Sequence, residues 1–185
     1  MIDGNSNRMK KLVLSYELAW RTEDDKKFMK TVEWKNIRKK ILERDDYTCQ
    51  YCGYKNEKGM NVNHMDGNPK NHSDENLEVI CASCHKITHS GLWVVVFNVL
   101  DVYEESKYDQ NNIVRITNKM RDKGNSDEEI IKFLDLKKPI PWKQDIEYLS
   151  KLYGFISSRK INKKNYGVTL TEEEQQTSLK NRNKW

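Results

Sequence analysis

An α+β fold is what this sequence predicts: a small core of two short strands and a helix, with mostly helical extensions at both ends. Three observations predict it. The chain of 185 residues is only 36% hydrophobic and 33% charged, too polar for one large apolar core. Short strand-like runs and a helical run alternate over residues 60 to 90, around a loop rich in Asn, Asp, Pro and Gly. All four cysteines and all four histidines lie between residues 49 and 89, so the chemistry is concentrated in that window.

The elements follow in order. Residues 1–33 are polar with scattered aromatics (Tyr16, Trp20, Phe28) and read as an N-terminal extension. "EWKNIRKKILERD" is an amphipathic helix, with Trp34, Ile37, Ile41 and Leu42 as its apolar stripe. "YTCQYCGYKNEKG" is a tight knuckle with glycine at its turns. "MNVNHM" and "LEVIC" are strands, and the intervening "DGNPKNHSDEN" is a loop in which His72 reads as solvated. "ASCHKITHS" is a short helix.

Beyond residue 92 a mainly helical region is expected over 93–158, serving specificity or dimerisation. "WVVVFNVLDVY" is apolar enough to be a buried strand or the start of a helix. "NNIVRITNKMRDKG" reads as a helix ended by Gly124, and Ser126 with Glu129 forms a capping box for the next helix. These two faintly resemble the start of a helix-turn-helix. "KQDIEYLSKLYGFISSRK" has the spacing of a further amphipathic helix. The tail, 159–185, holds seven Lys or Arg against three Glu, with Thr171 and Glu174 as a cap for a final helix.

Cys49-x2-Cys52 and Cys81-x2-Cys84 give two matched pairs, the spacing with which four thiolates hold one structural zinc. No run of 18 apolar residues and no signal-peptide pattern is present, so a cytoplasmic protein without membrane contact is expected, where such cysteines are metal ligands and not disulfides. His85 and His89 lie four apart, on one helical face about a quarter-turn from that of Cys81 and Cys84. The cysteines and the histidines therefore point to different places. The net charge of +5 suits a polyanionic partner.

The run "NHMDGNPKNHSDENLEVICASCHKITH", preceded by "WKNIRKKILERDDYTCQYCG", resembles the HNH endonuclease family over residues 34–92. The family's three letters fall on His64, Asn76 and His85. The resemblance implies the ββα-metal fold, a two-stranded hairpin on a helix, and hydrolysis of DNA phosphodiester bonds of restriction, homing or phage type. His64 is then the general base, because imidazole titrates near neutrality. Asn76 ties down the loop and orients His64. His85, with His89 as partner, holds one catalytic divalent cation (Mg2+, Mn2+ or similar), beside one structural zinc per chain. The residue before the base is usually Asp or His in this family. Here it is Asn63, whose neutral amide is a weaker donor, with Asp66 as another source of a carboxylate. Double-stranded DNA is the expected partner, with Arg38, Lys39, Arg44, Lys163 and Lys164 as phosphate contacts; a homodimer is one option. Two alternatives from other classes stand beside this: a catalytically inactive zinc-ribbon DNA-binding or adaptor protein, and an RNA nuclease.

Overall fold

Thr31 opens the first long helix. Its hydroxyl accepts from the Trp34 backbone N–H at 3.2 Å and satisfies a donor that the helix cannot. In the computed structural model, which describes residues 9–15 and 23–161, a short helix α1 (Glu23–Phe28) precedes this helix, α2 (Val32–Arg44). Trp34, Ile41 and Leu42 are its buried face, as the apolar spacing predicts. Tyr16, Trp20, the tail cap at Thr171 and Glu174, and the tail lysines Lys163 and Lys164 lie outside the described residues.

The chain divides into two compact units. Among the described residues, the first comprises 9–11 and 23–85, and the second 12–15 and 86–161. In the first unit, β1 (Asn61–His64) pairs antiparallel with β2 (Leu77–Ile80), with Val62 opposite Val79 and His64 opposite Leu77. All four residues of β2 are buried, and α2 covers the hairpin. The knuckle and the end of α2 are both fastened to β2: the Gln50 N–H donates to the Val79 carbonyl (3.0 Å), and the Val79 N–H donates to Oδ2 of Asp45, the C-cap of α2 (2.9 Å). Helix α3 (Ala82–Thr88) follows β2 after one residue, Cys81.

In the second unit, the run "WVVVFNVLDVY" does both things its composition allows. Its start belongs to helix α4 (Ser90–Val95), and its end is strand β3 (Leu100–Glu105). The switch falls at Asn98, which adopts a left-handed backbone (φ 55°) that Asn tolerates better than its neighbours Phe97 and Val99 would. Helices α5 (Gln110–Asp122) and α6 (Asp127–Leu134) form as expected, with Gly124 at φ 85° after α5 and the Ser126–Glu129 capping box complete. They pack on a three-stranded antiparallel sheet in the order β4-β3-β5, where β4 is Lys137–Pro139 and β5 is Tyr153–Ile156. Tyr103, Ile113, Ile130, Leu134, Leu136 and Phe155 form the core between the helices and the sheet.

The helix expected over 143–160 does not form. Only Ile146–Leu149 is helical (α7), capped by Asp145, and the chain then becomes β5. The physical reason lies in Gly154, poor in a helix interior, and in its neighbours. Phe155 enters the core, while Gly154 exchanges hydrogen bonds with the Gln110 side chain, its N–H donating to Oε1 at 2.7 Å and its carbonyl accepting from Nε2 at 2.9 Å. No helix among the described residues is long and apolar enough to cross a membrane.

Candidate metal centre and nuclease site

The knuckle is shaped by Gly53 at φ 71°, with the Gly53 N–H donating to the Cys49 carbonyl (3.0 Å) and the Cys49 N–H to the Tyr54 carbonyl (2.9 Å). This turn places Cys49 and Cys52 beside Cys81 and Cys84. The four sulfurs, all buried and none in a disulfide, lie within 4.8 Å of one another. Cys52 Sγ and Cys81 Sγ are 3.6 Å apart. That is too long for a disulfide and close to the edge of about 3.8 Å expected for a tetrahedron with ~2.3 Å zinc–sulfur bonds. Hydrogen bonds from Cys52, Cys81 and Cys84 pull the Cys49 thiol down, whereas Cys84 is pushed up, first by Cys49, then by Cys52 and Cys81, and by burial. Four buried sulfurs so clustered are the donor set that zinc takes, as thiolates, in structural sites.

His64 ends β1. Its ring lies nearly parallel to that of Trp34, with centroids 5.7 Å apart and an interplanar angle of 13°. Asn76, buried at the end of the following loop, uses its whole amide there. Its Nδ2 donates to Asp66 Oδ1 and to the Asn71 carbonyl (both 2.9 Å), and its Oδ1 accepts from the Asp66 N–H (3.0 Å). Its carbonyl also accepts from the Met65 N–H at 2.9 Å, one residue beyond His64. Asp66 adds bonds from the Asn68 N–H (2.8 Å) and Asn71 Nδ2 (2.8 Å). The Asn71 bond first, then those from Asn68 and Asn76, hold its carboxyl below the usual carboxylate range.

His72 is not the solvated loop residue that composition suggests. Its Nδ1 is 3.1 Å from His64 Nε2, its ring stacks on Phe28 (centroids 4.4 Å, 8°), and it meets Trp34 at 5.6 Å. The loop bonds on either side carry it there. A second residue that the sequence does not announce is Glu78. It is 1% exposed, accepts from Tyr51 Oη (2.7 Å) and Asn63 Nδ2 (3.0 Å) on Oε1, and pairs with Lys10 Nζ (2.6 Å) on Oε2. Burial first, then the Glu78 hydrogen bond, raise the Tyr51 hydroxyl far above its usual range. An acidic residue inside the four-residue buried run "LEVI" is the signal that could have found this network.

Asn63 is buried with its Nδ2 on Glu78, which leaves Oδ1 as its side-chain acceptor atom. His85 is half-buried in α3. Helix α3 ends at Thr88, one residue short of His89, whose backbone (φ −120°, ψ 39°) is no longer helical and which is the N-cap of α4. Of the expected phosphate contacts, Lys39 is exposed and pairs with Glu43 at 3.7 Å. Arg38 donates to the Met60 carbonyl (2.5 Å). Arg44 donates to Asp45 (2.7 Å) and to the Asp74 and Leu77 carbonyls (2.5 and 2.7 Å), so both guanidinium groups fasten α2 to its surroundings.

Comparison with known proteins converges on the same segment. Residues 49–91 match the family model for HNH endonuclease. Zorya protein ZorE of Escherichia coli is 36% identical over 66 residues, covering 33% of this chain and 18% of that protein. Type 4 apparatus protein DotN of Legionella pneumophila is 29% identical over 80 residues, covering 43% of this chain and 36% of that protein. The chain thus spans well under half the length of either relative. Residues 49–91 form an HNH-family domain in a mixed helix-and-sheet fold, with four cysteines positioned to bind a metal ion.

Proposed function

We propose that the chain is a metal-dependent endonuclease that hydrolyses DNA phosphodiester bonds, with His64 as general base. The observation that carries the reading is His64 at the end of β1, with Asn76 closing the loop behind it, inside the segment that matches the family. His64 takes a proton from the attacking water. Asn76 orients it through Met65 and the loop. His85 and Asn63 Oδ1 are the proposed cation ligands, with His89 beyond the end of α3 as a further candidate. A divalent cation held there supplies positive charge to the phosphate and to the leaving oxygen. Zinc on Cys49, Cys52, Cys81 and Cys84 fixes the start of α3 and hence His85. Lys39 and the tail lysines Lys163 and Lys164 are proposed to bind phosphates without reading sequence.

The test is nicking of supercoiled plasmid with Mg2+ or Mn2+, with EDTA as control. Cleavage is expected to fall about 10²- to 10⁴-fold in His64→Ala, the range for loss of a general base. Equal cleavage by the variant sinks the assignment. A second reading is favoured by the neutral Asn63, tied to Glu78: a zinc-binding module that binds DNA and does not cut it. DNA binding without nicking by the wild type, in any of these metals, supports that reading. Preferential digestion of RNA in a parallel assay assigns the substrate otherwise.

A further inference from the structure

We infer that His72 is a positioning residue that fixes the tautomer of His64. This rests on the reading of His64 as the base. The two imidazoles share one hydrogen bond, His64 Nε2 to His72 Nδ1 at 3.1 Å. One nitrogen must donate and the other accept. The His64 nitrogen in that bond is occupied whichever way the proton lies. Only the tautomer with hydrogen on Nε2 leaves a lone pair on Nδ1, the nitrogen outside the bond. His72 must therefore accept, through an unprotonated Nδ1, and carry its own hydrogen on Nε2.

The surroundings hold His72 for this task. Phe28 stacks on its ring with an interplanar angle of 8°, and Trp34, itself parallel to His64, meets it at 55°. The two imidazoles are thus gripped from α1 and α2. On either side of His72 in the chain, Asn71 is bonded to Asp66, and the Ser73 N–H donates to Asn71 Oδ1 at 3.3 Å. A histidine that merely filled a polar loop needs none of these contacts. The arrangement works as a base and its orienting partner do in other hydrolases, where the wrong tautomer is inactive although the geometry is intact.

The inference is read first in the full, zinc-loaded wild-type chain, without a mutation. Long-range proton–nitrogen NMR with labelled histidine distinguishes the tautomers. It is expected to place the hydrogen on Nε2 of His64, and a hydrogen on Nδ1 overturns the inference. Two variants follow. His72→Phe keeps a ring against Phe28 but accepts no hydrogen bond. Its kcat for plasmid nicking is expected to fall about 10- to 100-fold with KM little changed. His72→Asn offers its amide oxygen close to the old Nδ1 position and is expected to recover most of that loss. Full activity of His72→Phe, while His64→Ala is inactive, sinks the role of His72 and leaves the base intact. Full activity of His64→Ala sinks the underlying reading instead.

Discussion

Asn76 has two donors and one acceptor in its side chain, and a single loop takes all three. Truncation to alanine removes all three of these bonds from a side chain that is itself buried. Asn76→Ala is therefore expected to lower stability by about 1–3 kcal/mol, seen as a reduced melting temperature. If the loop also orients His64, nicking falls further than the stability loss explains. An unchanged melting temperature would show that the loop bonds contribute nothing. At this scale the sequence was informative where chemistry and spacing coincide. The cysteine pairs stand out by their spacing, and His64 and Asn76 through the resemblance of their run to the HNH family. His72 and Glu78 did not, because their meaning comes from partners distant in the chain: Phe28 and Trp34 for one, Tyr51 and Lys10 for the other.

The elements of the second unit show where a helical period misleads. Residues 143–160 carry apolar groups at helical spacing, yet β5 pairs with β3 through Val102 opposite Gly154 and Tyr103 opposite Tyr153. Gly154 is required at that crossing. A Cβ there would lie 2.7 Å from Leu14 Cδ2 and 3.0 Å from Ile87 Cδ1, and both of those side chains are buried. Gly154→Ala is thus expected to destabilise the chain by about 1–3 kcal/mol, through crowding and not through backbone conformation. A denaturant midpoint equal to that of the wild type would refute it. By contrast α2, α5 and α6 were legible: α2 from its apolar stripe, α5 from its pattern and the closing Gly124, and α6 from the capping box of Ser126 and Glu129.

At the scale of the whole molecule, the two units are held by different means. The first has a short hairpin, one long helix and four clustered thiols; the second has an apolar core between two helices and three strands. Elemental analysis is expected to find about one zinc per chain. Its removal by a strong chelator should abolish amide protection in β1 and β2, since structural zinc contributes on the order of 10 kcal/mol to folding. Protection in β3 and β5 is expected to persist, because their core contains no cysteine. Hydrogen exchange read by mass spectrometry checks both halves, and retained protection of the hairpin after zinc loss would refute the staple.

By itself the sequence determined the chemistry that local pattern can encode: the thiol pairs, the HNH run, the capped helices, and a core too small to stand on burial alone. Only the tertiary structure decided that residues 153–156 are a strand, that His72 reaches His64, and that Glu78 is buried. The physical reason is common to all three. Each depends on a hydrogen bond or a packed ring from a remote part of the chain, and a remote partner leaves no periodic mark on the residues that receive it.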